Sequence, residues 1–282
     1  MILDRYARRK FSDIFVRSAC VAATVIALVP LVSVLYYVTS RGIGGINWDF
    51  FSELPKPVGE SGGGMANALA GSVKLLFLAC VFGIPPGVLA GVYLAEFGAS
   101  RFGKWVRFSA DVMSGVPSIT VGIFVYSLVV LRAKHFSAFA GGVALGVLML
   151  PTVTRTTEEL LRLVPESLRE AALGLGLPKW RVTLRVMLRT AAPGIATGVM
   201  LAVARVAGET APLLFTAFSN PFWSSGLNEP TASLPVIIYN YAVSPYEEWH
   251  RQAWAAALVL LLLVLLLNVS ARLLVRNRVG AR

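Results

Sequence analysis

The 282-residue sequence has few charged residues. Only 15% are Asp, Glu, Lys or Arg, against about 25% in soluble globular domains. Hydrophobic residues make up 56% of the chain, and the mean hydropathy is +0.69. A chain of this composition has too little polar surface for a soluble domain. We therefore place it in a lipid bilayer.

Residues that support metal or disulfide chemistry are also scarce. The two cysteines, Cys20 and Cys80, lie in apolar runs and cannot form the disulfide framework of a secreted scaffold. The two histidines, His135 and His250, have no spacing that suggests a metal site. No H-E-x-x-H motif is present, so intramembrane proteolysis by a zinc enzyme has little support. We expect no bound metal and no catalytic residues.

One short stretch resembles a nucleotide-binding loop. Residues 98–104, GASRFGK, have the G-x4-G-K spacing of a phosphate-binding loop. Trp105 occupies the position where such a loop needs Ser or Thr for magnesium, and no buried strand precedes it. We interpret the stretch as a turn between helices, and we expect no cofactor in this chain.

Long apolar runs dominate the sequence. Because about 20 residues cross the hydrocarbon core, the runs predict six transmembrane helices near residues 17–39, 66–95, 106–131, 136–154, 191–218 and 252–275. The fold class is therefore an all-α polytopic membrane protein. We expect an N-terminal segment at 1–16, a first helix and outer loop at 17–65, a helical core at 66–275 and a tail at 276–282.

The net charge of +11 is distributed unevenly along the chain. With the N-terminus in the cytoplasm, 19 of the 26 Lys and Arg residues lie on the cytoplasmic side. Two others, Lys74 and Arg205, fall inside predicted helices. The positive-inside rule then predicts that both termini are cytoplasmic. This topology explains most of the basicity, so we expect no nucleic-acid partner. The five outer cations are Arg41, Lys56, Arg132, Lys134 and Arg251.

The segment 155–190 is too charged to stay in lipid, yet its apolar residues recur at helical spacing. Pro165 should end a first helix, and Ser167 with Glu170 predicts a capping box for a second short helix. Gly174, Gly176 and Pro178 should end that helix. A third amphipathic stretch, 179–189, should place Trp180, Leu184, Met187 and Leu188 on one side. Periodicity alone fits a docking surface for another protein and a linker on lipid headgroups equally well.

This segment resembles a known signature. Glu170-Ala171-Ala172, then Gly176, then Val186-x-Leu188 is similar to the EAA motif of binding-protein-dependent ABC importer permeases. Val186 replaces the usual Ile, and Arg189 stands where Pro is usual. The resemblance implies the type I ABC importer permease fold. It also implies that the cytoplasmic coupling segment 155–190 contains a coupling helix that docks into an ATPase subunit. The residues implied in this docking are Glu170, Ala171, Ala172, Gly176 and Pro178.

Further stretches are similar to PstA-type permeases of phosphate importers. The resemblance implies a multi-pass protein of the prokaryotic inner membrane that carries phosphate. It also implies a homologous PstC-type permease, two copies of a cytoplasmic ATPase that bind the ATP and magnesium, and an extracytoplasmic phosphate-binding protein. The stretches are GVPSITVGIF at 115–124, residues 151–176, AVARVAGETAPLLFTAFSNPFW at 202–223, LPVIIYNYAVSP at 234–245 and residues 253–272.

Two full charges lie within the fifth predicted helix. Each ionised residue at a helix centre costs about 2.5–3.5 kcal/mol, so Arg205 and Glu209 must face partners or water. At i and i+4 they can pair on one helix face. A guanidinium also matches phosphate oxygens in a bidentate geometry. Our hypothesis is that Arg205 offers phosphate a transient site. In this hypothesis Glu209 keeps the Arg205 side chain oriented and compensated when the path is empty. The alternative is a purely structural ion pair.

Three further residues are candidates for the substrate pathway. Thr210 can join the polar face beside Glu209. Arg155 could receive the anion on the inner side, although an Arg at a membrane edge also serves as a topology anchor. Lys74 could line the same route, but its long stem can reach the outer interface.

The sequence leaves other functions open. One alternative is a permease for another oxyanion, such as sulfate or molybdate. The other is a membrane scaffold or sensor in which the cytoplasmic segment binds a regulatory partner.

Overall fold

The computed structural model describes residues 2–60 and 62–279, and every regular element in the described chain is a helix. Turns of π-helix at Tyr126–Val130 and Val182–Met187 join α5 to α6 and α9 to α10. The helices are α1 Ile2–Gly42, α2 Trp48–Ser52, α3 Ala66–Phe97, α4 Arg101–Gly115, α5 Ser118–Val125, α6 Leu131–Ala133, α7 Ala138–Arg162, α8 Glu166–Gly174, α9 Lys179–Arg181, α10 Leu188–Ala207, α11 Ala211–Thr216, α12 Leu234–Ala242 and α13 Glu247–Val279.

Five helical stretches of the described chain are long and apolar enough to cross a membrane. A sixth span exists only if α4 and the α5–α6 stretch count as one, and these two meet at 108°. The all-helical prediction is thus confirmed, with five unbroken spans and one bent pair. The five are Arg9–Gly45, Ala66–Phe97, Ala138–Arg162, Lys179–Ala207 and Glu247–Ser270.

Two of the six predicted helices were wrong as continuous elements. The helix expected at 106–131 breaks at Val116 and Pro117, because proline lacks an N–H donor and disfavours helix in the preceding residue. The helix expected at 191–218 ends at Ala207 and resumes as α11. Pro212 cannot donate to the carbonyl of Gly208, so the helix stops one turn before it.

The bundle is organised around the close pair α3 and α7. A Cβ on Gly83 would lie 2.9 Å from the Cβ of Met149, and one on Gly91 would lie 2.5 Å from the Cβ of Thr157. Gly87 approaches Val153 in the same way. These glycines repeat every fourth residue on one face of α3. They let the two backbones pack closely, which is how helices associate in lipid.

The two ends of the bundle carry different segments. One end, here termed the loop end, holds the starts of α3 and α7 and residues 219–233, which bond to Asn67 and Ala138. The opposite end, here termed the α8 end, holds the last turns of α3 and α7 together with α8. Residues 9–37 of α1 are exposed, and the end of α1 packs against α13, with Gly42 against Trp254 and Leu258.

Replacing Gly91 by Ala should lower the melting temperature of the purified protein in detergent. The added methyl overlaps Thr157, and overpacking of this kind costs about 1–3 kcal/mol. Gly115→Ala is the matched control, because nothing lies within 4 Å of a Cβ at that position. Equal melting temperatures for the two variants would contradict the close α3–α7 contact.

Candidate functional site

Arg205 lies in the last turn of α10, near the middle of the bundle. Gly194 packs against Leu160 and Gly198 against Thr156, so α10 and α7 are antiparallel. Arg205 follows Gly198 by seven residues, which is about 10 Å at the rise of an α-helix. It therefore lies near the level of Met149, close to the midpoint of α7.

The side chain of Arg205 faces away from the rest of the chain. Val203 and Val206 on the same helix are buried in the core, whereas Leu201, Arg205 and Gly208 form an exposed stripe. No helix in the described part of the chain covers this stripe. The guanidinium consequently has neither a covering helix nor an ion-pair partner within the described chain.

The predicted ion pair between Arg205 and Glu209 was wrong. An i, i+4 contact needs a continuous helix, but α10 ends at Ala207 and Glu209 lies in the break at 208–210. Among residues 2–60 and 62–279, no ion pair joins the two side chains. Glu209 and Thr210 are half-buried in the break, and Thr210 starts α11 by accepting hydrogen bonds at its carbonyl from Leu213 and Leu214.

Arg155 lies on α7 toward the α8 end and is paired with two carboxylates. One guanidinium nitrogen lies 2.7 Å from Asp111 Oδ1 on α4, and the other lies 3.3 Å from Glu158 Oε2 on α7. The side chain remains one-third exposed. Arg155 is thus compensated within the chain, unlike Arg205.

Glu158 is the centre of a charge cluster that sequence reasoning missed. Its carboxylate is buried and accepts hydrogen bonds from Arg107 on α4 and Arg155 on α7, and Arg162 lies 2.9 Å away. The spacing of Arg155, Glu158 and Arg162 at i, i+3 and i+7 could have indicated the part of the cluster within α7. Arg107 is 51 residues away in sequence, and no local pattern relates it to Glu158.

Lys74 lies at the loop end, with its ammonium group directed at backbone. Its Nζ donates to the carbonyl oxygens of Ser224 at 2.5 Å and Gly226 at 3.3 Å. The loop that contains Ser224 and Gly226 is therefore held to α3 through this side chain. The structure does not bring Lys74 together with Arg205 or Arg155, and its pathway role stays a prediction.

The short helix α8 begins directly after Pro165. The predicted capping box was wrong, because Pro165 is the N-cap residue and no side chain caps the helix. Pro165 interrupts the end of α7, and the chain becomes helical again at Glu166, which leaves Ser167 inside the first turn. The C-terminal prediction was right: Gly176 has φ +79°, its N–H donates to Leu173, and Leu177 donates to Ala172. These two bonds define a Schellman motif.

The EAA residues divide between core and surface. Ala172 is buried with Val182, Met187 and other residues at the α8 end, whereas Glu170 and Ala171 are exposed. Gly176 and Pro178 are exposed as well. The result is a helix attached through Ala172, with Glu170 and Ala171 on the free side.

A clamp joins α8 to the end of α3. Arg169 donates to both carboxylate oxygens of Glu96, at 2.7 and 2.8 Å, and the Thr183 hydroxyl donates to the same carboxylate at 3.1 Å. The hydrogen bond to Glu96 raises the pKa of Arg169, which stays charged. Glu166 lies 3.3 Å from Arg169 Nε but is too poorly aligned for a hydrogen bond. Arg169 and Glu96 are 73 residues apart in sequence, so no local sequence pattern indicates this contact.

The amphipathic face expected at 179–189 was only partly right. The stretch is helical, but its six residues Val182–Met187 form a π-helix, which shifts the side-chain register. Met187 is buried as a result, while Trp180 and Leu184 stay exposed. The loop-like GASRFGK stretch is a helix connection in which Ser100 accepts a hydrogen bond from the Gly103 N–H at the start of α4.

Comparisons with known proteins agree with this arrangement. Residues 87–279 match the family model described as binding-protein-dependent transport system inner membrane component. The phosphate transport system permease protein PstA of Yersinia pestis is 49% identical over 254 residues, covering 90% of this chain and 86% of that protein. PstA of Haemophilus influenzae is 45% identical over 275 residues, covering 97% of each chain.

Solved structures share the fold at low sequence identity. A chain of the inward-facing MetNI methionine ABC transporter aligns with a TM-score of 0.59 at 21% identity, covering 76% of this chain and 96% of its own. A chain of a bacterial ABC transporter that imports the acidic polysaccharide alginate aligns with a TM-score of 0.62 at 14% identity, covering 89% and 94%. This chain belongs to the family of binding-protein-dependent transport system inner membrane components, and within it to the PstA-type permeases.

Proposed function

We propose that this permease forms half of the translocation path of an ATP-driven phosphate importer. The observation that carries the proposal is the position of Arg205: a guanidinium near mid-depth, beside a break in α10, with no carboxylate partner in the described chain. The names of the relatives support phosphate as the cargo. The role of the chain is transport and not catalysis.

The break at 208–210 supports a path at this position. Non-helical backbone at membrane depth is tolerated where it is buried in protein or lines a water-filled cavity. Discontinuous helices of this kind line the substrate sites of many transporters. The half-buried Glu209 and Thr210 supply polar groups at the break. In our proposal Arg205 offers phosphate a weak site, and Glu209 and Thr210 line the route beside it.

The uncovered stripe around Arg205 supports a path shared with a second subunit. Leu201 and Gly208 flank Arg205 on a face that this chain leaves open. A homologous PstC-type permease would cover that face and complete the route. The extracytoplasmic phosphate-binding protein would deliver the anion at the loop end, and both termini would lie in the cytoplasm.

The α8 end supports coupling to a cytoplasmic ATPase. The free side of α8 presents Glu170 and Ala171, and the exposed Gly176 follows just after the helix; all three belong to the EAA motif. Two ATPase subunits, one below each permease, would bind the ATP and magnesium. A movement of α8 would reach α3 through the bond between Arg169 and Glu96. Because a ligand shifts an equilibrium only by its differential affinity for the two states, ATP and not phosphate must supply the large free energy.

Replacing Arg205 by Gln should reduce phosphate uptake by at least tenfold while the complex still assembles, because the amide carries no charge for the anion. Arg205→Lys keeps the positive charge but loses the paired N–H donors that bind two phosphate oxygens at once, so its uptake rate should be intermediate. Arg132→Gln, at another exposed arginine, is the matched control. The measurement is initial uptake of radioactive phosphate into cells or proteoliposomes. Uptake by Arg205→Gln within twofold of the unmodified permease would refute the pathway role.

Replacing Glu96 by Gln should lower the amount of phosphate moved per ATP hydrolysed, because α8 loses its charged bond to α3. Glu166→Gln is the control, since that exposed carboxylate is not hydrogen-bonded to Arg169. Both rates are measured on the same reconstituted importer. An unchanged ratio in Glu96→Gln would exclude this clamp as the connection.

Replacing Glu170 by Lys should weaken capture of the ATPase subunit on the purified permease. The residue is exposed on α8, so the folded bundle should keep its melting temperature. Glu159→Lys, exposed on α7, serves as the comparison. Docking through α8 is refuted if both variants retain the ATPase equally well.

A further inference from the structure

The guanidinium of Arg155 is shared between two carboxylates that differ in burial. Asp111 Oδ1 lies 2.7 Å from one terminal nitrogen, and its side chain is 48% exposed. Glu158 Oε2 lies 3.3 Å from the other terminal nitrogen, and its side chain is 2% exposed. The two edges of one arginine therefore meet a solvated partner and a buried partner.

Glu158 is held in place by several contacts. Arg107 bonds to Oε1 through two nitrogens, and Arg162 lies 2.9 Å from the same oxygen. If the Glu158 carboxylate moved away from these arginines, its buried negative charge would have no counter-charge. Glu158 is thus a fixed part of the cluster, and its contact with one terminal nitrogen of Arg155 orients that side chain.

Asp111 is held far less firmly. Its one ion pair within the described chain is the contact with Arg155, and it comes from a different helix, α4. A solvated ion pair of this kind contributes little stability and exchanges readily with water or with other ions. The edge of Arg155 that Asp111 occupies is therefore the edge that a soluble anion can take.

The charge of the cluster depends on Asp111. Arg107, Arg155 and Arg162 provide three positive charges against the two negative charges of Glu158 and Asp111. When Asp111 swings into solvent, three guanidiniums face one carboxylate, and the excess of two positive charges matches a doubly charged phosphate. When Asp111 returns, the excess falls to one and a bound dianion is held less tightly.

We propose that Asp111 is a release-determining residue: it competes with phosphate for Arg155 at the α8 end of the path and displaces the anion toward the cytoplasm. The proposal rests on the proposed function, in which Arg155 receives the anion on the inner side. It differs from the sequence-based hypothesis about Glu209, because the competing carboxylate here forms an observed ion pair. The competition occurs at the exit and not at mid-depth.

Neutralising Asp111 should make Arg155 retain phosphate. The complete importer is reconstituted in proteoliposomes with the α8 end inside, and initial uptake is measured at rising concentrations of enclosed phosphate. In Asp111→Asn, the enclosed phosphate concentration that halves the rate should fall at least fivefold. Asp111→Glu keeps the charge and should stay closer to the unmodified importer. Glu248→Gln removes a carboxylate from the exposed pair with Arg251 and should change nothing.

The double variant Asp111→Asn with Arg155→Lys separates competition from structure. Lys keeps a positive charge but cannot face Glu158 with one edge and an anion with the other, as the guanidinium can. The increased sensitivity to enclosed phosphate should therefore be largely lost. If Asp111→Asn only slows uptake, with the same sensitivity as the unmodified importer, the residue merely ties α4 to α7 and the proposal is wrong. Asp111→Ser provides the same test should the Asn variant assemble poorly.

A further variant distinguishes failure of this inference from failure of the proposed function. Arg155→Gln should abolish most uptake if Arg155 is part of the path. Normal uptake by Arg155→Gln would refute both the inner phosphate site at Arg155 and the competing role of Asp111. Loss of uptake in Arg155→Gln, with unaltered phosphate sensitivity in Asp111→Asn, would leave the path intact and overturn only the inference.

Discussion

A guanidinium at membrane depth must meet a counter-charge or water, and the rest of the structure depends on how this chain satisfies that requirement. At the α8 end, Arg107, Arg155 and Arg162 are compensated by Glu158 and Asp111. At mid-depth Arg205 has no such partner in the described chain. The chain therefore compensates the arginines near its edge and leaves Arg205, in the middle, without a counter-charge of its own. The proposed anion path between two subunits depends on this difference.

The close pair of α3 and α7 connects the two charged regions. The glycines of α3 bring its backbone against α7, which carries Arg155 and Glu158 and packs beside α10. The last turn of α3 carries Glu96, which binds Arg169 of α8. A contiguous set of packed helices and charged contacts thus runs from the exposed motif on α8 to the surroundings of Arg205. Coupling through such a set is physically possible because packed interfaces move as units.

Sequence reasoning predicted what depends on composition and local pattern. The apolar runs gave the membrane class and most of the spans, and Gly176 and Pro178 correctly marked the end of α8. The break after Ala207 was also encoded locally, since Gly208 and Pro212 interrupt the run, but apolarity alone made it look continuous. The Arg205–Glu209 pair failed for that reason. The amphipathic face expected at 179–189 assumed a regular period of 3.6 residues. The π-helix at Val182–Met187 has a longer period and therefore shifts which side chains share a face.

The contacts that sequence reasoning missed join residues far apart in the chain. Arg107 reaches Glu158 across 51 residues, and Arg169 reaches Glu96 across 73. Each pair joins two different helices at the α8 end. Which helices lie side by side there is decided by tertiary packing, and the spacing of residues along the sequence carries no signal of it. The candidate pathway residues Arg155 and Arg205 could be chosen from the sequence because charge in an apolar run is itself a signal. Asp111, the partner of Arg155 on α4, could not be chosen, because no local spacing relates the two residues.

The most direct test of the central claim is whether the face of α10 around Arg205 meets water and phosphate. The variant Gly208→Cys, in a chain that also carries Cys20→Ser and Cys80→Ser, places a single thiol on the exposed stripe one turn beyond Arg205. The account predicts that a water-soluble thiol reagent modifies this cysteine in the assembled importer, and that phosphate slows the reaction while Arg205 is present. Modification only by a lipid-soluble reagent, unaffected by phosphate, would contradict it.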